Sequence, residues 1–208
     1  FLLLYFFVLI YKKFNRYLVI KYLFLFISSI LVFISFSKTT IACYLILNTY
    51  YLILNTKLNC RICKIARVIT LFIISLIFLS ATTDPLTVNK RIELMKNSIT
   101  IIMRYLIQGV GLGSYLLEQA KFSSKFYLFF NQPVHNIFLL FISETGLLIS
   151  GFLLYLLIRF LINRRLSKEQ WILIFVVILT GFFDHYWITL QQNFLLMGLV
   201  IGVSLSRS

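Results

Sequence analysis

The chain has little charge, few acidic residues and few cysteines, and each scarcity excludes a class of protein. Only 12% of its 208 residues are charged, and 61% are hydrophobic. Soluble globular proteins carry about 25% charged residues, so an ordinary soluble domain is excluded. Three cysteines cannot form a disulfide framework, and the isolated Cys60-x-x-Cys63 pair is weak evidence for zinc. We therefore predict reduced cysteines, no metal site and no cofactor.

What the chain does contain is a series of apolar runs of roughly membrane-spanning length. They predict an all-α, polytopic transmembrane helical bundle with one large outer loop carrying an amphipathic helix. The run Phe1–Ile10 is too short to span alone and lacks the basic start and cleavage site of a signal peptide. We expect residues 1–208 to form a single membrane domain, an N-terminally truncated fragment that starts inside a helix. The predicted spans are 1–10, 17–36, 39–56, 68–83, 136–158, 170–183 and 186–205.

The basic residues predict how the helices are oriented. Segments 12–16, 57–67 and 159–168 carry three, four and four Lys or Arg residues. By the positive-inside rule these loops are cytoplasmic, which makes 84–135 a large extracytoplasmic loop. A net charge of +14 therefore needs no nucleic-acid partner. We expect a multi-pass protein of the inner or plasma membrane whose active site faces outward.

The outer loop contains the most distinctive residues. Asp84-Pro85 reads as a turn or helix start, and helical periodicity follows over 89–107. Arg91 flanks the apolar stripe of this helix, and an arginine that looks inward needs an anionic partner. Gly109, Gly111 and Gly113 permit a tight turn or a close backbone approach, although they lack the spacing of a nucleotide-binding loop. We expect the stripe to rest on the membrane or on the protein body; it comprises Ile92, Met95, Ile99, Ile102 and Leu106.

Several motifs in this order resemble the C-terminal part of the bacterial O-antigen ligase/polymerase superfamily. The resemblance covers roughly 25–205 and rests on order and spacing together. The motifs are Ser37-Lys38 at the outer end of a span, Arg91-Ile-Glu-Leu-Met-Lys-Asn97, Gly109-Val-Gly-Leu-Gly-Ser-Tyr115, His135-Asn-Ile-Phe-Leu139, Glu144-Thr-Gly-Leu147 and Gly151. Asp184-His185, with Gln191-Gln192 farther on, is similar to a terminal signature of some members.

The resemblance implies an integral-membrane glycosyltransferase. Such enzymes move a glycan from an undecaprenyl-diphosphate carrier on the outer leaflet to a sugar or a lipid-linked acceptor. Carried over by residue, it implies that Arg91 contacts the diphosphate and that His135 is the general base or orients the acceptor. Lys38 stands where the family usually has arginine, and lysine cannot make the bidentate contact to phosphate.

The chemistry fits these residue types. Fixed cations can stabilise a diphosphate leaving group without a metal, and an imidazole titrates close to neutral pH. His135 can instead be an interfacial histidine that caps the helix beginning at Asn136. Asp184 and His185 can bind the acceptor, replace His135 as the base, or form a simple polar turn. Glu144 is either functional or an interior hydrogen-bonding group near Gly146.

We therefore expect a metal-independent, lipid-linked glycan ligase or polymerase. Its partners are a polyprenyl-diphosphate-linked glycan donor, a glycan or lipid acceptor and the lipid bilayer. Its site comprises catalytic His135 and Arg91 with substrate-binding Lys38, Asp184 and His185. The alternative is a transporter or flippase for a lipid-linked or anionic substrate, which would place polar segments in paired repeats near mid-membrane. A third possibility is a non-catalytic fragment that folds only with an N-terminal half.

Overall fold

A computed structural model describes residues 1–34, 38–55, 85–122, 131–164 and 166–206, together with residues 65, 69, 72, 73 and 76. Every regular element in these ranges is helical, so the described chain is all-α. The predicted span 68–83 lies outside these ranges except for four single positions. The chain divides into two compact units.

The first unit comprises 1–82, 166–180 and 195–208. Its helices are α1 (Leu2–Ile10), α2 (Leu18–Ile34) and α3 (Lys38–Asn55), and a 3₁₀ helix (Lys12–Arg16) connects the first two. The apolar side chains of α1 pack on α2, and Phe6 is fully buried. This unit also contains most of α7 (Lys168–Phe183) and of α9 (Gln191–Leu205).

The side chain of Lys21 is buried in this unit and contacts the end of α1. Its ammonium group donates to the carbonyl of Leu9 at 3.0 Å and to Asn15 Oδ1 at 2.7 Å. Leu9 lies in the last turn of α1, where backbone carbonyls lack partners within the helix. Lys21 is therefore buried, and its ammonium group has hydrogen-bond partners at the end of α1 and in the connection that follows.

The second unit comprises 83–165 and 181–194 and contains His135, Asp184 and His185. It consists of α4 (Pro85–Arg104), the short α5 (Tyr115–Gln119), α6 (Ile137–Asn163) and the short α8 (Tyr186–Thr189), with the ends of α7 and α9. Pro85 occupies the first position of α4, where its missing N–H costs no helical hydrogen bond. The predicted helix start at Asp84-Pro85 is thus confirmed, although the helix begins earlier than 89 and ends earlier than 107.

The side of α4 that packs on the protein is not the predicted apolar stripe. Leu94, Ser98 and Ile101 are fully buried, and Ser98 Oγ lies 3.0 Å from Ser143 Oγ of α6. By contrast, four of the five stripe residues are exposed. The expectation that the stripe rests on the protein body is therefore wrong for this unit, because a polar serine pair and two aliphatic residues form the helix contact instead. The exposed stripe leaves the membrane as its remaining predicted partner.

The turn that contains Gly109 contacts α6 at the point where that helix is interrupted. We call this contact, formed by 106–111 and 143–147, the glycine seam. Gly146 has φ 76° and ψ 169°, which interrupts the helix. The N–H groups of Val110 and Gly111 then donate to the carbonyls of Ser143 and Glu144, each at 2.9 Å. The N–H of Leu147 donates to the carbonyl of Leu106 at 2.8 Å. The predicted close backbone approach at Gly109 is thus confirmed.

Glycine is required on both sides of the seam. A Cβ at Gly109 would lie 2.3 Å from the carbonyl oxygen of Glu144, and a Cβ at Gly146 would lie 2.2 Å from that of Ile107. Both glycines also have positive φ, a conformation that side chains disfavour. The two backbones can therefore meet only because neither position carries a side chain.

The apolar helices correspond only partly to the predicted spans. In the described ranges, α6 is the helix that is both long and apolar enough to cross a membrane, and three shorter apolar helices accompany it. It runs to Asn163 rather than 158, so it takes up part of the predicted loop 159–168. The predicted span 186–205 is wrong as one helix, because α8 ends at Thr189 and α9 begins at Gln191.

Candidate functional site

The start of α6 is fixed by Asn136 rather than by His135. The Asn136 side-chain oxygen accepts hydrogen bonds from the N–H groups of Phe138 and Leu139, both at 3.0 Å. Asparagine is among the preferred residues for this capping position. The interpretation of His135 as the helix cap is therefore wrong, and its imidazole is available for another role.

The same end of α6 packs closely on the end of α7. Asn136 Nδ2 donates to the carbonyl of Phe182 at 3.2 Å, and the Phe138 and Phe182 rings lie 4.7 Å apart. Gly181 allows this approach, since a Cβ there would lie 2.6 Å from Ile137 Cγ2. The residue that precedes α6 is consequently brought to the residues that follow α7.

This packing brings together both histidines of the chain and one of its six acidic residues. The rings of His135 and His185 lie 5.3 Å apart, and His135 Nδ1 lies 3.7 Å from Asp184 Oδ1. That distance is within ion-pair range but too long for a hydrogen bond. His135 Nδ1 is buried and has no hydrogen-bond partner. We call His135, Asp184 and His185 the histidine cluster.

His185 is held in one orientation by its neighbours. Its Nδ1 lies 2.8 Å from Thr189 Oγ1, and its backbone N–H donates to Asp184 Oδ1 at 2.8 Å. Burial lowers the pKa of His185, while the nearby Asp184 carboxylate opposes that shift and His135 adds to it. The burial effect is the largest, so the neutral imidazole is favoured.

Of the other two predicted site residues, Arg91 is the one whose side chain the structure describes. Arg91 is exposed on α4, so the expectation of an inward-facing arginine with an anionic partner is wrong. Within the described ranges, no contact links Arg91 to His135. Lys38 is the first residue of α3, but its side chain lies outside the described part of the chain. Its predicted role in substrate binding therefore stays a prediction.

Glu144 acts through its backbone in the described structure. Its carbonyl accepts the hydrogen bond from Gly111 in the glycine seam. This main-chain contact does not test the role of the Glu144 carboxylate, so both interpretations of that group stay predictions.

An apolar groove of about 340 Å³ is lined in part by residues that closely follow the histidine cluster in sequence. Its walls include Ile137, which follows His135 by two residues, and Ile188, which follows His185 by three. Farther along α6, Phe141 and Leu154 extend the groove toward the middle of the helix. Residues close to the polar cluster in sequence thus line a groove that is suited to an apolar chain.

Three supporting residues were not identified from the sequence. Thr189 orients His185, Asn136 caps α6, and Gly181 permits the two helix ends to approach. The position of Asn136 directly before an apolar run was a readable capping signal. The contacts of Thr189 and Gly181 depend on pairing between distant segments, which no local pattern indicates.

The fold and the site together define a class rather than a family. The described chain is an all-α, strongly apolar helical protein in which a broken helix carries a histidine-carboxylate cluster at its start. No family model, curated protein or solved structure matches the chain. The function must therefore be argued from the site itself.

Proposed function

We propose that the chain is a multi-pass membrane glycosyltransferase of the O-antigen ligase or polymerase type. It would transfer a glycan from a polyprenyl-diphosphate carrier to a sugar or lipid-linked acceptor on the outer face. In this reaction the acceptor oxygen forms a bond to the sugar, the sugar-phosphate bond breaks, and the carrier diphosphate leaves with the electron pair. The acceptor proton must pass to a base.

The observation that carries this proposal is the position of His135. Its Nδ1 is buried, has no hydrogen-bond partner and lies 3.7 Å from Asp184 Oδ1. A nitrogen in this position can accept the acceptor proton, and the adjacent carboxylate would stabilise the imidazolium that forms. Catalytic hydrogen bonds are often long before substrate binds, so the present distance suits a base that tightens during the reaction.

The exposed surface of α6 supports a membrane location. Every residue from 147 to 160 except Ser150 is exposed, and Leu148 and Phe152 are 67% and 58% exposed. Monomeric soluble proteins rarely expose such continuous apolar surface. A polytopic bundle in an inner or plasma membrane, with 84–135 outside, is the arrangement that we propose for the whole chain.

The groove supports a lipid-linked donor. It lies between the start of α6 and α8, so an apolar chain in it would end beside the histidine cluster. The diphosphate would then lie near the reacting atoms. Arg91 and Lys38 are proposed to neutralise its charge, a role that requires no metal. Asp184 and His185 would position the acceptor.

The first test is a transfer assay with the full-length reading frame that contains this chain. Purified protein receives a lipid-diphosphate glycan donor, candidate acceptors and EDTA, and products are resolved by mass spectrometry. We expect His135→Ala to lower transfer by about 100-fold or more, in the range typical for loss of a general base. Arg91→Ala should also lose activity, whereas Lys96→Ala, an exposed cation on the same helix, should retain it. Undiminished transfer by both His135→Ala and Arg91→Ala would overturn the residue assignment.

A second test concerns the groove. Leu154→Trp fills part of it, so we expect a several-fold rise in KM for the lipid-linked donor. Leu148→Trp is the matched control, because Leu148 is exposed on the same helix and does not line the groove. Equal KM values for the two variants would place the lipid chain elsewhere.

One observation favours the alternative, a transporter or flippase. Transporters often bind substrate where a membrane helix is interrupted, and α6 is interrupted at Gly146. In this break, however, the carbonyls of Ser143 and Glu144 are already bonded to backbone N–H groups. Those carbonyls are not free for an ion, which favours a structural break. Substrate uptake into vesicles without any covalent product would reverse this preference.

A further inference from the structure

The histidine cluster has the donor atoms of a metal site. His135, Asp184 and His185 each offer one ligand atom, and these three atoms lie within 4.8 Å of one another. Two ligands at zinc bond lengths and a tetrahedral angle are about 3.4 Å apart. The 3.7 Å between His135 Nδ1 and Asp184 Oδ1 is close to that separation. The third donor, on His185, lies within 4.8 Å of the other two, so an inward movement of up to about 1.4 Å would bring it to that separation.

The unpartnered nitrogen of His135 is a second, independent observation. Buried polar atoms in proteins nearly always have a hydrogen-bond partner, and His135 Nδ1 has none. The nearest acidic oxygen, on Asp184, is too far for a hydrogen bond but correctly placed to share an ion. A cation between the two would satisfy both groups.

The surroundings of His185 orient it as a ligand. Thr189 Oγ1 donates to the carbonyl of His185 at 3.2 Å, so its oxygen can accept the Nδ1–H of the ring at 2.8 Å. That arrangement leaves the lone pair on Nε2, the form in which imidazole binds metals. Metal-bound histidines usually have their other ring nitrogen fixed in this way.

We propose that His135, Asp184 and His185 bind a divalent transition-metal ion, with Zn²⁺ the best fit, and that Thr189 is a positioning residue. Two imidazoles and one carboxylate suit zinc, whereas Mg²⁺ and Ca²⁺ require mainly oxygen ligands. The ion would retain a fourth position for water. Binding does not depend on the proposed glycosyl transfer. It would compete with that reaction, because His135 Nδ1 cannot hold an ion and accept a proton at once.

The test measures Zn²⁺ binding directly by equilibrium dialysis of the purified full-length protein. The affinity tag must contain no histidine, and Cys43, Cys60 and Cys63 are replaced by serine so that thiols cannot bind the ion. We expect about one equivalent of tightly bound Zn²⁺, as for a three-ligand site. Asp184→Asn should lose it, whereas Glu118→Gln, the same change in a carboxylate outside the cluster, should keep it. The expected competition is an inhibition of transfer by Zn²⁺ that EDTA reverses.

A milder variant tests the site in case the ligand variants fail to fold. Thr189→Val keeps the shape of the side chain but removes the hydroxyl, and loss of such a supporting contact typically lowers metal affinity about 10- to 100-fold. Equal Zn²⁺ binding by Asp184→Asn and Glu118→Gln would overturn the site, and unchanged affinity in Thr189→Val would overturn the positioning role. Zn²⁺ binding by a protein without transfer activity would leave this site intact and count against the glycosyltransferase proposal.

Discussion

At the scale of single residues, His185 shows how burial and charge act in opposite directions on one side chain. Burial lowers its pKa and the Asp184 carboxylate opposes that shift, with burial the larger effect. The folded protein therefore binds a proton at His185 less readily than the unfolded chain does. Folding stability is consequently linked to pH through this residue.

We predict that the protein loses stability as the pH falls below the ordinary histidine pKa of about 6.5. Above that value both states carry a neutral His185 and the full contribution is present. Below it the unfolded chain takes up the proton first, so the contribution is lost as the pH approaches the lowered pKa of the folded state. Thermal unfolding of the detergent-solubilised protein with EDTA, followed from about pH 8 to about pH 5, measures the effect.

The control for this prediction is His185→Gln, which cannot take up a proton in this range. Its unfolding temperature should depend less on pH than that of the wild type. Identical pH dependence in the two proteins would show that His185 does not contribute. His135 and Asp184 interact with His185, so the difference between the two proteins measures His185 together with its coupling to these neighbours.

The sequence indicated the members of the cluster better than their roles. His135 and Asp184-His185 were singled out by motifs that resemble the superfamily and by the chemistry of these residue types, and both are local signals. Their proximity arises from contacts of Asn136 and Gly181 with α7 and α6, which join segments far apart in the chain. Arg91 was placed inward by its helical spacing, but spacing alone cannot determine which face of a helix meets the protein.

At the scale of elements, the glycine seam makes the sharpest prediction. Gly109→Ala or Gly146→Ala should lower the free energy of unfolding by at least about 2 kcal/mol, from backbone strain and overpacking together. Each added methyl would meet a main-chain carbonyl, which cannot rotate away as a flexible side chain could. Unfolding by heat or denaturant in detergent measures the change.

Gly151→Ala is the matched control for the seam. Gly151 lies in the same helix, and nothing lies within 4 Å of the position of its added Cβ. Alanine there should be neutral or stabilising by up to about 1 kcal/mol, since alanine is the better helix former. If all three variants were equally stable, the seam would not hold the two segments together.

The sequence predicted some features of α4, α8 and α9 correctly and others incorrectly. The start of α4 at Pro85 was readable because proline has a definite place at helix starts. The face of α4 that packs was not, because the contact uses Ser98 and Ser143 rather than the most apolar residues. A single span over 186–205 was expected from its apolar composition, which does not register the extended backbone of Leu190 between α8 and α9.

At the scale of the whole molecule, the proposed orientation can be tested by chemical labelling. In a cysteine-free background, Leu117→Cys places a thiol at an exposed position of the outer segment, and Asn163→Cys places one at the end of α6. We predict that a membrane-impermeant maleimide labels Leu117→Cys in intact cells. Asn163→Cys should react only after the membrane is permeabilised, because basic loops remain cytoplasmic.

The opposite labelling pattern would invert the topology, and with it the outward-facing site. Equal labelling of both positions in intact cells would contradict a membrane-spanning α6. The all-α class followed from composition and the length of the apolar runs, which are properties of the entire chain. The number of crossings depends on which helices reach across the bilayer, and composition alone does not determine that number.

The glycine seam also means that the turn at 106–111 is not a detachable addition to α6. The N–H groups of Val110 and Gly111 supply the partners that Ser143 and Glu144 lose where α6 is broken. If this segment were deleted or exchanged for an unrelated linker, two bare carbonyls would remain inside an apolar helix, a costly state in hydrocarbon. Any protein that keeps the break in α6 must therefore keep the turn that completes it.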